Sequence, residues 1–247
     1  MSILTADGKL LTVDGKLATA KSAPTTPYME AEYVEDVNTS GNTSHYIKRA
    51  KLYNHTAIYA WEFSGQQQLK NIDFSDASNN ITAIEPDAFN QTLVDGLVLP
   101  NTISVVGARC FISAYITTLT VPPLVTVLSE SAFSYIQPVY NNETCEEIPV
   151  NIILPQNLTE IGFACFLGAW IKQIIIPDTV IKIGETAFRY CEQLASITCL
   201  AATPPALGPD AFTSETAGFT IKVPAASVAA YKAATNWSSY ADYIVGV

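Results

Sequence analysis

Short runs of alternating apolar and polar residues follow one another along most of the chain, separated by proline, glycine and an Ala-Phe or Cys-Phe pair. The stretch Ile171–Cys191 shows the unit in full: Ile171-Lys-Gln-Ile-Ile-Ile-Pro177-Asp-Thr-Val-Ile-Lys-Ile-Gly184-Glu-Thr-Ala-Phe188-Arg-Tyr-Cys191. Ile174 in, Ile175 out, Ile176 in is the two-residue period of a strand. Pro177 lacks an N–H and ends that ladder. Val180 and Ile183 predict a second short inward stretch. Gly184 is expected to allow a positive φ at the corner that follows, and Ala187-Phe188 to open a short helical turn that fills the space between layers. Each unit therefore predicts a strand, a bend, a second short strand and a helical turn.

The unit recurs. Its marker phenylalanines are Phe89, Phe111, Phe133, Phe166, Phe188 and Phe212, each preceded by Ala or Cys, with steps of 22, 22, 33, 22 and 24 residues. A period in this range is the signature of stacked repeats, whose coils touch only their neighbours. Phe63, Leu69 and Ile72 keep the same offsets as Phe188, Leu194 and Ile197, so the array begins near residue 63. Pairs 55 residues apart, such as Pro100/Pro155, Gly107/Gly162, Cys110/Cys165 and Phe133/Phe188, indicate that a two-coil block was copied. The long step places 11 additional residues after Phe133, around 136–151. Insertions in such arrays map to loops, often on a functional edge. The fold class is a repeat solenoid, mainly β with short helical turns.

The flanks differ from the array. Residues 1–27 carry a duplicated Asp-Gly-Lys-Leu, and Asp-Gly among apolar and Thr residues signals a tight turn between short strands. This arm cannot bury Ile3, Leu4, Leu10, Leu11, Val13 and Leu17 by itself and is read as an anchor that docks on its own body or on a neighbouring subunit, with a linker running to residue 27. Residues 28–62 alternate in a manner suited to strands and read as an N-terminal cap over an otherwise open solenoid end. Residues 63–224 are the solenoid. The Ala-rich tail, residues 225–247, reads as a helical C-terminal cap.

The pattern LxxIxIPxxVxxIGxxAFxxC at 171–191 resembles the BspA-like, or Treponema-type, leucine-rich repeat, and the resemblance spans roughly residues 63–224. Thr203-Pro204-Pro205, the Val223-Pro-Ala-Ala-Ser-Val-Ala-Ala-Tyr-Lys232 run and Trp237 resemble the ends of such proteins from gut Bacteroidetes. The resemblance implies a leucine-rich-repeat-type solenoid and a bacterial surface protein engaged in adhesion and partner binding, without catalysis.

Composition narrows the chemistry. The 247 residues carry a net charge of −10, a field that repels phosphate backbones and makes nucleic acid an unsuitable partner. No apolar run approaches the roughly 18 residues of a membrane span. Ile3-Leu4 is followed at once by Thr5-Ala6-Asp7-Gly8-Lys9, so no classical export signal is expected, which points to a virion or to a bacterial surface reached by a non-classical route. Five cysteines without close pairs argue against a disulfide framework and against a zinc site, and Cys110 and Cys165 read as small buried apolar residues. His45 and His55 both fall in the cap, without a nucleophile or acid that would make a catalytic site. There is no phosphate-cradling glycine loop, and Glu143, Glu146 and Glu147 lack calcium-loop spacing. No catalytic residue, cofactor or metal is expected.

What remains is surface. The outward residue of each main strand is Asp73, Val98, Thr120, Ile153, Ile175, Thr198 and Lys222, an apolar or uncharged stripe with charged ends. Such a patch marks a contact site, although β-branched residues also sit there because strands suit them. A second, weaker candidate is the edge carrying Tyr115, Tyr135, Tyr140, Trp170 and Tyr190, as interface anchors or as corner packing. The expected function is a non-catalytic interaction or adhesion solenoid displayed on a surface, with a protein or surface glycan as partner. The alternative is a phage virion component, such as a head-fibre, capsid-decoration or tail protein, held to other subunits through residues 1–27.

Overall fold

The computed structural model describes residues 2–5, 10–11, 27–37, 43–69, 71–93, 96–141, 146–148, 150–212 and 218–247. It is a β-solenoid of about eight turns, with a parallel sheet along each of two walls and a column of phenylalanines between them.

The second wall is unbroken. Its seven strands, Ala57–Ile58, Ala83–Ile84, Val105–Val106, Val127–Leu128, Glu160–Ile161, Lys182–Ile183 and Ala206–Leu207, pair in parallel. Every second residue points inward, so Ile58, Ile84, Val106, Leu128, Ile161, Ile183 and Leu207 stack in register. The main wall is built from Asn71–Asp73, Thr118–Thr120, Asn151–Ile153, Gln173–Ile176, Ser196–Cys199, Thr220–Val223 and Ile244–Gly246. It is interrupted twice: residues 97–99 form no ladder with either neighbour, and Asn151–Ile153 forms none with Gln173–Ile176.

The phenylalanines explain the period. Phe63, Phe89, Phe111, Phe133, Phe166, Phe188 and Phe212 are all buried and stack with centroids 5.4, 5.0, 5.3, 5.2, 5.1 and 5.8 Å apart. Each Phe N–H from Phe63 to Phe188 donates to the carbonyl of the residue before the next marker, namely Ala88, Cys110, Ala132, Cys165, Ala187 and Ala211, at 2.7–2.9 Å. A larger side chain at that small-residue position has no room between rings. The residue two before the Phe is left-handed in every coil (Trp61, Asp87, Arg109, Ser131, Ala164, Thr186, Asp210), and so is the residue two after it in the described coils (Gly65, Gln91, Ser113, Tyr135, Gly168, Tyr190). Left-handed backbone costs about 1–2 kcal/mol at a non-glycine residue, so these paired reversals persist because the stack and its ladder over-determine them.

Gly184 is a correction. Its φ is not positive; the positive-φ glycines are Gly65, Gly96, Gly168 and Gly218. The glycine is required because consecutive coils touch there: a Cβ on Gly184 would lie 2.6 Å from the carbonyl carbon and oxygen of Gly162, and one on Gly162 would lie 2.6 Å from the Leu128 oxygen. The same column includes Gly107 and Gly208.

The 11 extra residues form a hairpin rather than an irregular loop. Val139–Asn141 pairs antiparallel with Glu146–Ile148. The insertion is extruded at a corner, between Gln137, bridged to Tyr115, and Val150, bridged to Ile171, and the Phe133–Phe166 stacking distance is unchanged by it.

At the N-terminal end, long antiparallel strands Tyr28–Val37 and Thr43–Tyr53 join the main wall through Lys51, paired with Asp73. Strand Ser2–Thr5 pairs antiparallel with Tyr28–Ala31 of the same chain and with Leu10–Leu11; Ile3, Leu4, Leu10 and Leu11 lie on these strands, whereas Val13, Leu17 and the linker lie outside the described residues. At the other end a short helix, Val228–Ala233, and a 3-10 segment, Trp237–Tyr243, cover the last coil. Here side chains replace the coil that does not follow. Trp237 tilts against Phe212, and the Tyr240 hydroxyl accepts the Phe212 N–H at 3.3 Å and donates to the Phe212 carbonyl at 3.1 Å. The Tyr231 hydroxyl and Trp237 Nε1 donate to the Ala201 and Pro205 carbonyls, each at 2.8 Å.

Gly184→Ala is expected to destabilise the fold by about 1–3 kcal/mol, the cost of forcing an extra carbon into a filled interior, read as a lower midpoint in urea. Gly96→Ala, where no atom lies within 4 Å of the added carbon, tests the distinction: its loss comes from φ alone and is about 1–2 kcal/mol.

Candidate functional site

The main wall presents two outward columns. One is the stripe Asp73, Val98, Thr120, Ile153, Ile175, Thr198 and Lys222; ladder pairing sets Thr120 beside Ile153, and Ile175, Thr198 and Lys222 side by side. Val98, Ile153 and Ile175 are 80%, 46% and 59% exposed, Thr120 is exposed, and Asp73, Thr198 and Lys222 are half-buried. The column runs further than the sequence pattern indicated. Lys51 extends it beyond Asp73 and Val245 beyond Lys222. Val245 was concealed because the tail reads as helix, and no local signal placed it on a strand.

The second column is polar: Asn71, Thr118, Asn151, Gln173, Ser196 and Thr220. Across the four central strands, both columns together hold Thr118, Thr120, Asn151, Ile153, Gln173, Ile175, Ser196 and Thr198 without one charged side chain. A chain with 23 acidic and 13 basic residues has kept its charge off this face. Charge depletion is a compositional mark of an interface core. Beside Val98, where the ladder is missing, the face dips into a hollow of about 400 Å³ lined by Leu97, Val98, Asn101, Thr118, Thr120 and Pro122 among others.

The aromatic edge divides. Tyr135 lies over Gly168, its Cδ1 2.6 Å from where a Cβ would stand, yet is 45% exposed, and Trp170 is half-buried against the core. Tyr115, Tyr140 and Tyr190 expose their rings. Tyr190 carries the Arg189 guanidinium 4.8 Å from its ring centre, and Tyr140 sits on the hairpin opposite Glu147.

Polar groups inside the fold are structural. His55 is buried, with Nε2 2.8 Å from Glu62 Oε1 and Nδ1 2.9 Å from the Tyr53 carbonyl, while Glu62 Oε2 accepts the Tyr59 N–H at 2.8 Å. This network ties the long strands to the first coil. Asp87 is buried and receives both Arg109 Nε, at 3.2 Å, and Nη2, at 2.8 Å. Cys110, Cys165, Cys191 and Cys199 are free and buried, and burial raises each thiol pKa, to about 12 for Cys191 and Cys199. Among the described residues no group of three His, Cys, Asp or Glu side chains can hold a metal ion, and no helix is long and apolar enough to cross a membrane.

A short-period solenoid with two parallel walls, a glycine column and a phenylalanine ladder defines a leucine-rich-repeat protein. The chain belongs to the BspA type leucine rich repeat family, whose pattern matches in 6 copies over residues 42–140 and 140–228. It is similar to a leucine rich cell surface protein from Faecalibacterium prausnitzii, at 18% identity and a TM-score of 0.34, over 78% of this chain and 61% of that one. It is also similar to the pneumococcal vaccine antigen PcpA, at 16% identity and a TM-score of 0.28, over 76% and 63%. The chain thus spans under two thirds of the length of either. None of the curated proteins compared with the chain matches it.

Thiol burial gives a pH test. A raised native pKa means that the native state holds protons that the unfolded state releases, so stability is full below the ordinary thiol pKa near 9.0 and falls above it. Stability is expected to decline above about pH 9 by about 1.4 kcal/mol per pH unit per buried thiol. The double substitution Cys110→Ala and Cys165→Ala, which installs the residue that other coils carry, should flatten that decline in urea titrations at successive pH values.

Proposed function

We propose that this protein is a non-catalytic interaction module of the adhesion type, and that the outer face of its main wall, centred on Ile153 and Ile175, is the contact surface for a protein partner. The observation that carries this reading is the uncharged face, with Ile153 and Ile175 exposed at its centre, on a strongly acidic chain. Exposed strand positions in solution ordinarily carry charge, and leaving them neutral favours aggregation unless the surface is used. The family supports the same class. The exposed Tyr115, Tyr140 and Tyr190 supply secondary anchors of the type favoured at interfaces.

The test is a binding comparison between the natural chain and the variant Val98→Lys, Ile153→Glu, Ile175→Lys, using immobilised extracellular-matrix proteins, immobilised glycans and intact bacterial cells. Because the three side chains are exposed, circular dichroism and melting are expected to be unchanged within about 0.5 kcal/mol. Binding to the protein surface that retains the natural chain should fall at least about tenfold. Retained binding by the variant would remove this face from the function.

A further inference from the structure

The stripe on the main wall has a polarity that a simple contact patch does not require. Between Lys51 and Val245 it reads Asp73, Val98, Thr120, Ile153, Ile175, Thr198, Lys222, with Asp73, 3.7 Å from Lys51, near one end, Lys222 near the other and Ile153 at its centre. Turned end for end, the same sequence of groups complements itself.

We infer that the outer face of the main wall pairs with the same face of a second copy, solenoid axes antiparallel, about a two-fold axis passing through Ile153. A two-fold contact places residue i on j and j on i. In this register Asp73 meets Lys222 of the second copy, Val98 meets Thr198, Thr120 meets Ile175, and Ile153 meets itself. The polar column follows without mismatch: Asn151 faces Asn151, and Thr118 faces Gln173, amide and hydroxyl groups that both donate and accept. The parallel arrangement instead sets the unpaired Lys222 on Lys222, a like-charge contact that the antiparallel one avoids.

Three further observations favour a second copy as the occupant. A chain of net charge −10 repels its own kind over most of its surface, and the uncharged face is where two copies approach without that cost. The end that carries Asp73 mixes both signs, with Glu30, Asp73 and Asp76 near Tyr53, Lys51 3.7 Å from Asp73, and Lys48 and Arg49 on Glu32 at 3.1 and 3.8 Å. Lys222 at the other end has no ion-pair partner among the described residues. Shape agrees as well. The hollow beside Val98 lies opposite Thr198 of the second copy, and two residues on is Leu200, exposed, where the neighbouring coils carry Pro100, Pro122, Pro155, Pro177 and Pro224.

Seven strands about 4.8 Å apart and four residues wide give a face of about 30 by 13 Å, about half the area per partner of a standard interface. The pairing is therefore weak and reversible. It rests on the contact reading of the same face.

Sedimentation velocity of the full chain over a concentration series tests it. The natural chain should shift from monomer to dimer with rising concentration. Asp73→Lys alone and Lys222→Asp alone should each raise the dissociation constant at least about tenfold, and an equimolar mixture of the two should restore dimerisation to within about threefold of the natural chain, because only the mixed pair has opposite charges at both ends. Melting curves check that each variant is folded. A natural chain that stays monomeric throughout, self-association that neither substitution weakens, or a mixture that fails to re-associate each overturns the proposal. If the natural chain is monomeric while the Val98, Ile153, Ile175 variant still loses binding to a foreign protein, the second copy is excluded and the contact face stands.

Discussion

The interaction on which the structure depends is the repeated contact at each marker phenylalanine: a ring stacked on the ring above, and an N–H donated to the carbonyl before that ring. Stacked aromatic pairs contribute about 0.5–1.5 kcal/mol each beyond the area they bury, and here the pairs are consecutive. The stack fixes the distance between coils. The glycine column, the small residue before each Phe and the paired left-handed residues are consequences of that distance, because each is what backbone must do to pass so close to backbone.

With the spacing fixed, the two walls differ in freedom. The second wall is continuous, and its outward positions run from Ala83, Val105 and Val127 to the Lys182–Glu160 ion pair at 2.6 Å. The main wall is interrupted at 97–99, carries the hairpin at its corner and holds no charge across its middle. Variation has collected on one side of an otherwise uniform rod. Function in repeat proteins is expected where the repeat relaxes its rule, because the positions that maintain stacking cannot be spent on a ligand.

Much of this was legible in the chain. Period, strand phase and the inward or outward sense of Ile174, Ile175 and Ile176 follow from alternation alone, since side-chain period and strand period coincide. Other parts were not. Gly184 looked like a turn residue because sequence cannot distinguish a glycine needed for φ from one needed for close approach. His55 and Glu62 stand seven residues apart in a region without repeats, and only the folded junction brings them into contact. The hairpin at 139–148 lacks the Asn-Gly or Asp-Gly signal that marks tight turns, so an insertion was visible but its strands were not. The candidate stripe was legible as a set of outward residues; its extension to Lys51 and Val245 was hidden because both pairings join non-repeat segments to the array.

The Tyr240 hydroxyl, which both accepts from and donates to the backbone of Phe212, bears on how long such an object can be. Every marker phenylalanine offers the next coil an N–H and a ring, so the repeat contains an instruction to continue and none to stop. By meeting both with side chains, Tyr240 and Trp237 give Phe212 the contacts that an interior phenylalanine draws from the next coil. The tail thereby separates a discrete molecule from a fibre: finite size here is a property of a few residues at one end, not of the repeat.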